Sequence, residues 1–575
     1  MDAHLTTDGR LAAVDPGPGG RGAGDAALDA LIEARFDALM ETWPSHATHL
    51  GIHAYDGRLA DLSRAAKEAD IAAEARFISD LESIDTTHLS DRARFERDVA
   101  LHGARLRHFD DEVVRGWERR ASASHEVGDS LFLLLARDFA PLDERLGSMT
   151  QRLEGVPAAL RQARDRLGRH PVRFWNELEV GAAADLPTLV HEIVTAARER
   201  WPAGSPGLVR LETAARATRD AVFDYTAWIE STLDRADGDF ALGREPFDAL
   251  IALRAFDGLD TDDILAVGWQ QLRELHRARA EVGRAVDPSL TESEAVDRVK
   301  ADGPPDFSAA LAGYRDAMLR ARSFIETHDL ATLPTDDAIE VVPTPVHMRS
   351  LIPLAAYFEP AAFDRPIRGV YIVTPSVDGG PGAMLEHNWA SIVNTSVHEA
   401  YPGHHHQFSA ALTSPTPARL LTEAPEFHEG WGMYCEQMML EAGFEDTPAR
   451  RVIVATDAIW RACRIILDIG LHRGEIGVEE AIDFLMEHTR FERPVARAEV
   501  HRYTQTPGYN LSYLLGKVLL LRLRAAEQER LGPDFSLKRF HDALLYSGSL
   551  PVSFHRRLLA GEGGGPTLPG ATRST

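Results

Sequence analysis

Residues 396–407 read Ser396-Val397-His398-Glu399-Ala400-Tyr401-Pro402-Gly403-His404-His405-His406-Gln407. The run opens on His-Glu, as does the H-E-x-x-H helix, in which two imidazoles one turn apart bind zinc and the Glu activates a water. One turn beyond His398, however, stands Pro402, which has no ligand atom and breaks helices. A metal reading therefore requires the Pro402-Gly403 pair to bulge the helix until His404 or His405 swings back beside His398. A two-residue bulge favours His404, but spacing alone does not decide between the two.

A catalytic zinc needs about three protein ligands and one open position. The third candidate lies in Phe427-His428-Glu429-Gly430-Trp431-Gly432-Met433-Tyr434-Cys435-Glu436. Glu429 follows His404 after a Ser-Pro-Thr-Pro break at 414–417, which suits a helix, a loop and a second helix returning beside the first. On that second helix Glu436 shares a face with Glu429, being two turns on, whereas Cys435 faces away. The position one turn after Glu429 is Met433, so the acid that orients a ligand imidazole must come from elsewhere; Glu426 and Glu436 are available. Taken singly, a three-His run is an incidental cluster and Glu-Gly-Trp a packing element. Their combination at this spacing is what points to a metal.

The remainder of the chain is consistent with a large enzyme. Its 575 residues are 44% hydrophobic, enough for a substantial core, and its net charge of −26 disfavours nucleic acid and anionic membranes as partners. Two cysteines, Cys435 and Cys463, suit a reducing compartment. The polar, Gly/Pro-rich start lacks the basic and apolar regions of a signal peptide, and no apolar run reaches membrane-spanning length, so the expected location is cytoplasmic.

Helical periodicity dominates. In residues 27–43, Leu28, Leu31, Ile32, Phe36 and Leu39 recur at three- and four-residue steps. Similar patterns follow near 64–82, 90–108, 152–168 (where Pro157 is expected to shorten or kink the helix), 185–201, 207–234, 259–284 and 307–328. The texture changes at about 330: residues 331–387 are rich in Pro and Gly, with β-branched runs at 339–342 and 369–374 read as strands. A loop at 378–382 leads into the His-rich stretch, and helices resume at 427–442, 448–473, 478–488, 495–503, 509–529 and 534–545. The organisation expected is a disordered lead (1–25), a helical wall (26–330), a β-containing segment lining the cleft (331–387), a helical metal-binding region (388–560) and a disordered tail (561–575).

HEAYPGHHHQ and EGWGMYCEQ resemble the domain-of-unknown-function 885 family, bacterial proteins marked by HEAxPGHHxQ and EGWxxYxE. A third block, RYTQTPGYNLSYLLGK at 502–517, is similar to that family's RYxxxPGQxxSYxxGK, with Tyr509 where the family usually has Gln. The resemblance implies a mainly α, zincin-like metallohydrolase acting on peptides; the chain's own pattern adds the expectation of a deep groove walled by the N-terminal helices, with a small β element before the metal helix.

On this reading His398, His404 (or His405) and Glu429 hold Zn²⁺, and Glu399 is the general base that passes a proton from water to the leaving amine. Tyr503, Tyr513 and His501 are candidate donors to the oxyanion, and Arg502 a candidate partner for a substrate carboxylate. The function expected is hydrolysis of amide bonds in short peptides, since a deep groove excludes folded proteins. The alternatives are a cyclic amide or other small metabolite as substrate, or a structural zinc in a non-catalytic protein.

Overall fold

In the computed structural model, the described residues are 22–564, apart from 336, 346, 347, 350, 351, 353, 376–383 and 414. Most of the expected disordered lead, the tail beyond 564 and the loop at 378–382 lie outside the described residues. At the two ends of the described chain, a helix begins at Asp25 and a short turn, Glu562–Gly564, packs on Phe95.

The protein is mainly α, and the helices form where the apolar periodicity places them. Along Asp25–Thr42, Leu28, Ile32, Phe36 and Leu39 are buried on one face. Polar side chains start many of the helices: Ser63, Ser90 and Ser205 each accept from the backbone N–H three residues on. Asp260 with Asp263, and Thr291 with Glu294, form reciprocal capping boxes. Pro157 does not end its helix, which runs from Leu142 to Arg166. The helix Ala123–Ala136 was not evident from the sequence.

Three strands make the one sheet among the described residues: β1 (Asp337–Pro343), β2 (Ala355–Phe358) and β3 (Ile367–Val373). Their order is β1-β3-β2, with β1 parallel and β2 antiparallel to β3. β1 and β3 are the two β-branched runs, whereas β2 (Ala-Ala-Tyr-Phe) is too short to carry a period.

Apolar packing divides the molecule differently from its sequence texture. Helices between Ala123 and Ile229 share one core with Leu62, whereas the helices Arg64–Ser83 and Asp91–Phe109 pack with Leu28, Ala418 and Phe554. A second core begins at Phe247 and runs through the sheet and the C-terminal helices to Val552, so residues 247–331 pack with the metal-binding region rather than with the wall. Between the two lies a cavity of about 720 Å³, with Lys67, Trp117, Arg166 and Trp175 on the wall side and Pro425, Gln505 and Tyr509 on the other.

Candidate metal centre

The helix Trp389–Glu399 starts on Asn388, whose side chain accepts the Ser391 N–H at 2.8 Å, and carries His398 on its last turn. After Glu399 the chain leaves helical geometry at Ala400 and crosses a cis Tyr401–Pro402 peptide. It then starts a new helix, His404–Ala411. The Gly403 N–H donates to the Val397 carbonyl at 3.0 Å, and the His406 N–H to the Ala400 carbonyl at 3.2 Å. The helix is therefore broken and restarted rather than bulged. Only glycine fits at 403, because a Cβ there would stand 1.8 Å from the His398 carbonyl oxygen.

The helix Pro425–Glu441 brings Glu429 and Glu436 to this break. It lies close against the helix Ser512–Leu531, since a Cβ on Gly430 would meet the Gly516 carbonyl carbon at 2.5 Å. Gly432 lies directly under the His398 ring, where a Cβ would come within 2.6 Å of Cε1. Trp431, fully buried, donates its indole N–H to the Pro402 carbonyl at 2.8 Å and ties the third helix to the break.

These elements bring His398, His404 and Glu429 together, with one ligand atom from each, all within 4.8 Å of one another. Glu429 Oε2 lies 3.8 Å from His398 Nε2 and 3.5 Å from His404 Nε2. Ligands about 2.0–2.1 Å from a tetrahedral zinc stand roughly 3.4 Å apart, so the three side chains fit an ion of that size after small adjustments. The other nitrogen of His398, Nδ1, is 2.8 Å from Glu436 Oε1. This is the carboxylate–histidine arrangement that fixes a ligand ring and raises its basicity. Of the two acids available in the sequence, Glu436 thus takes this position, and Glu426 instead pairs with Arg254 at 3.0 Å.

The electrostatics favour a cation. Burial alone would lower the His398 pKa, but the neighbouring carboxylates of Glu429 and Glu436 overcome it and raise it to about 10. Burial acts to raise the Glu429 pKa, yet His398 and His404 hold it well below the usual carboxylate range. Glu399, half-buried at the end of the first helix, adds negative potential at His398.

His405 points elsewhere. Its Nδ1 lies 2.8 Å from the Tyr357 hydroxyl on β2, and its Nε2 lies 3.3 Å from Asp337 Oδ2 on β1. Asp337 also accepts from the Tyr401 hydroxyl at 2.6 Å, so β1 anchors the broken segment. His406 Nε2 lies 2.8 Å from the Thr332 carbonyl.

The third motif divides between the site and the surrounding fold. The Tyr503 hydroxyl donates to Glu499 at 2.8 Å and accepts from Trp460 at 2.9 Å. His501 lies against Phe174, and Arg502 pairs with Glu499. Tyr513 lies next to Tyr509, their ring centres 5.9 Å apart, and the Tyr509 hydroxyl donates to Glu429 Oε1 at 3.0 Å. Sequence reasoning passed over Tyr509 because it departs from the motif, and over Tyr357 because it lies in the four-residue strand.

Fold and site together define a mainly helical protein with a buried two-histidine, one-glutamate cluster. The chain belongs to the family of bacterial proteins of unknown function DUF885, which matches residues 44–559. No match is found among curated proteins. The solved structures similar to it include two bacterial proteins. One, described as a candidate lipoprotein of unknown function from Shewanella oneidensis, is 21% identical, covers 93% of this chain and 99% of its own, and has a TM-score of 0.76. The other, described as a candidate lipoprotein from Colwellia psychrerythraea, is 18% identical, covers 93% of this chain and 98% of its own, and has a TM-score of 0.80. Among the described residues no helix is long and apolar enough to cross a membrane. The expected cytoplasmic location gains no support from neighbours described as lipoproteins.

Proposed function

We propose that this protein is a zincin-like, zinc-dependent hydrolase of amide bonds that acts on short peptides. The observation that carries the reading is the convergence of His398 Nε2, His404 Nε2 and Glu429 Oε2, with the half-buried carboxylate of Glu399 one residue from a ligand and its charge felt at His398. When bound, zinc supplies Lewis acidity toward a carbonyl and lowers the pKa of water. Glu399 takes a proton from the attacking water on its carboxylate and passes it to the leaving nitrogen. The Tyr509–Tyr513 pair supplies the hydroxyl donor for the oxyanion, while Glu436 holds the His398 ring. Because Tyr357 on the edge strand β2 stacks 6.5 Å from His404, that strand is the natural rail for an extended substrate backbone.

Two features favour catalysis over a structural zinc. His405 is engaged by Tyr357 and Asp337, which supports a three-ligand set with an open position. Tyr509, bonded to Glu429, also lines the large cavity, so the cluster adjoins a space of ligand size. A small cyclic amide would fit the same chemistry, but a cavity of about 720 Å³ has room for a short peptide. The test is incubation of purified protein with a peptide library, with and without chelator, and of Glu399→Gln in parallel. Cleavage that survives both metal removal and the substitution rules the mechanism out.

A further inference from the structure

The wall side of the large cavity holds a charge that the fold does not neutralise. Arg166, at the end of the helix Leu142–Arg166, is only 9% exposed and lines the cavity, yet its guanidinium makes no hydrogen bond or ion pair with any described residue. The acids whose charge it feels are already engaged: Glu126 accepts from the Ser45 hydroxyl at 2.7 Å, and Asp111 pairs with Lys67 at 2.5 Å. Burial lowers its pKa, and the charges of Tyr225, Glu126 and Asp111 oppose that only in part. Arg120 lines the same cavity, and its only side-chain hydrogen bond among the described residues is to the neutral amide oxygen of Gln505. The other arginines there are satisfied, Arg107 by Glu74 and Arg254 by Glu426.

An arginine cannot shed its proton under ordinary conditions, so a buried unpaired guanidinium is a standing cost to the fold unless an anion reaches it. Asp110 and Asp129 also line the cavity, and burial raises both their pKa values to about 6, so they can relieve that cost by taking up a proton, which an arginine cannot mirror. At the opposite side of the same cavity Tyr509 donates to Glu429, so a ligand held on Arg166 extends toward the metal cluster. The volume, about 720 Å³, falls within the range of small-ligand sites.

We infer that Arg166, with Arg120 beside the same cavity, binds the free C-terminal carboxylate of a short peptide, so that the protein selects peptides by their carboxyl end. This deepens the proposed function and rests on it for the peptide as ligand. Planar guanidinium groups match carboxylates through two parallel N–H···O bonds, a fit that lysine does not reproduce.

Binding separates this inference from the hydrolase reading. Zinc-loaded Glu399→Gln protein is titrated calorimetrically with a tetrapeptide as the free acid and as the C-terminal amide. The free acid is expected to bind about ten- to a hundredfold more tightly. Adding Arg166→Gln is expected to abolish the difference by weakening the acid alone, and Arg166→Lys to restore part of it. Arg120→Gln provides a second variant, expected to narrow the preference. Equal affinity for acid and amide in the Arg166-containing protein overturns the inference, whether or not any peptide is cleaved. A clear acid preference in a protein whose wild type cleaves neither peptide upholds the carboxylate site and removes only the hydrolase reading.

Discussion

Glu436 Oε1 sits 2.8 Å from His398 Nδ1, reaching from two turns along the helix that also supplies Glu429. One helix therefore provides both a ligand to the proposed ion and the acid that orients another ligand. Glu436→Gln keeps the shape but removes the charge that makes the imidazole basic. Zinc affinity is expected to fall about ten- to a hundredfold, measured by competition with a chelator of known affinity. An unchanged affinity would show that the contact serves packing alone.

Gly432→Ala tests the floor of the site. The added methyl would lie 2.6 Å from His398 Cε1, so the ring must shift. Thermal unfolding should show a loss of about 1–3 kcal/mol from overpacking, and zinc content after dialysis should drop. A variant that retains both stability and zinc would mean that the ring has room the packing does not suggest.

Tyr509→Phe removes the hydroxyl that donates to Glu429 Oε1. The expected outcome is retained zinc with kcat/KM down by about a hundredfold or more, if the hydroxyl also serves the oxyanion. Tyr509→Gln, the residue usual at this place in the family's motif, keeps a donor and should lose less. Equal losses in the two variants would argue against hydrogen bonding as the cause.

A further prediction concerns pH. His53 bridges Asp56 and Asp364, both at 2.9 Å, and so joins the N-terminal helices to the segment between β2 and β3. Burial opposes its charge, but the two carboxylates prevail and raise its pKa to about 9. An unfolded histidine titrates near 6.5, so the bridge contributes fully below that pH and fades as pH rises through about 9. The melting temperature should fall across this window, and His53→Gln should flatten the slope by lowering stability on the acid side. An unaltered slope in the variant would place the titrating group elsewhere.

Most of the long helices and two of the three strands were legible because each carries a period or a β-branched run of its own; Ala123–Ala136 and shorter helices such as Arg244–Arg254 were not. The site was legible only in part. His398, Glu429 and the glycines depend on local motifs, but the choice of His404 over His405 is made by how the break rotates the next helix, and by Tyr357 and Asp337 claiming the second ring. No spacing rule contains those partners, which lie about fifty to seventy residues upstream. Tyr503 and His501 looked like site residues by type, yet Glu499 and Phe174, invisible to motif reading, hold them in the surrounding fold.

The proposed ligands, the base and the orienting acid all fall within residues 398–436, whereas Arg120 and Arg166 come from the other core, far upstream. On these proposals, reactivity and recognition are encoded in separate stretches of the chain. On the proposed roles, substitutions in the upstream helices would change which ligands are admitted while leaving the chemical cassette at 398–436 intact.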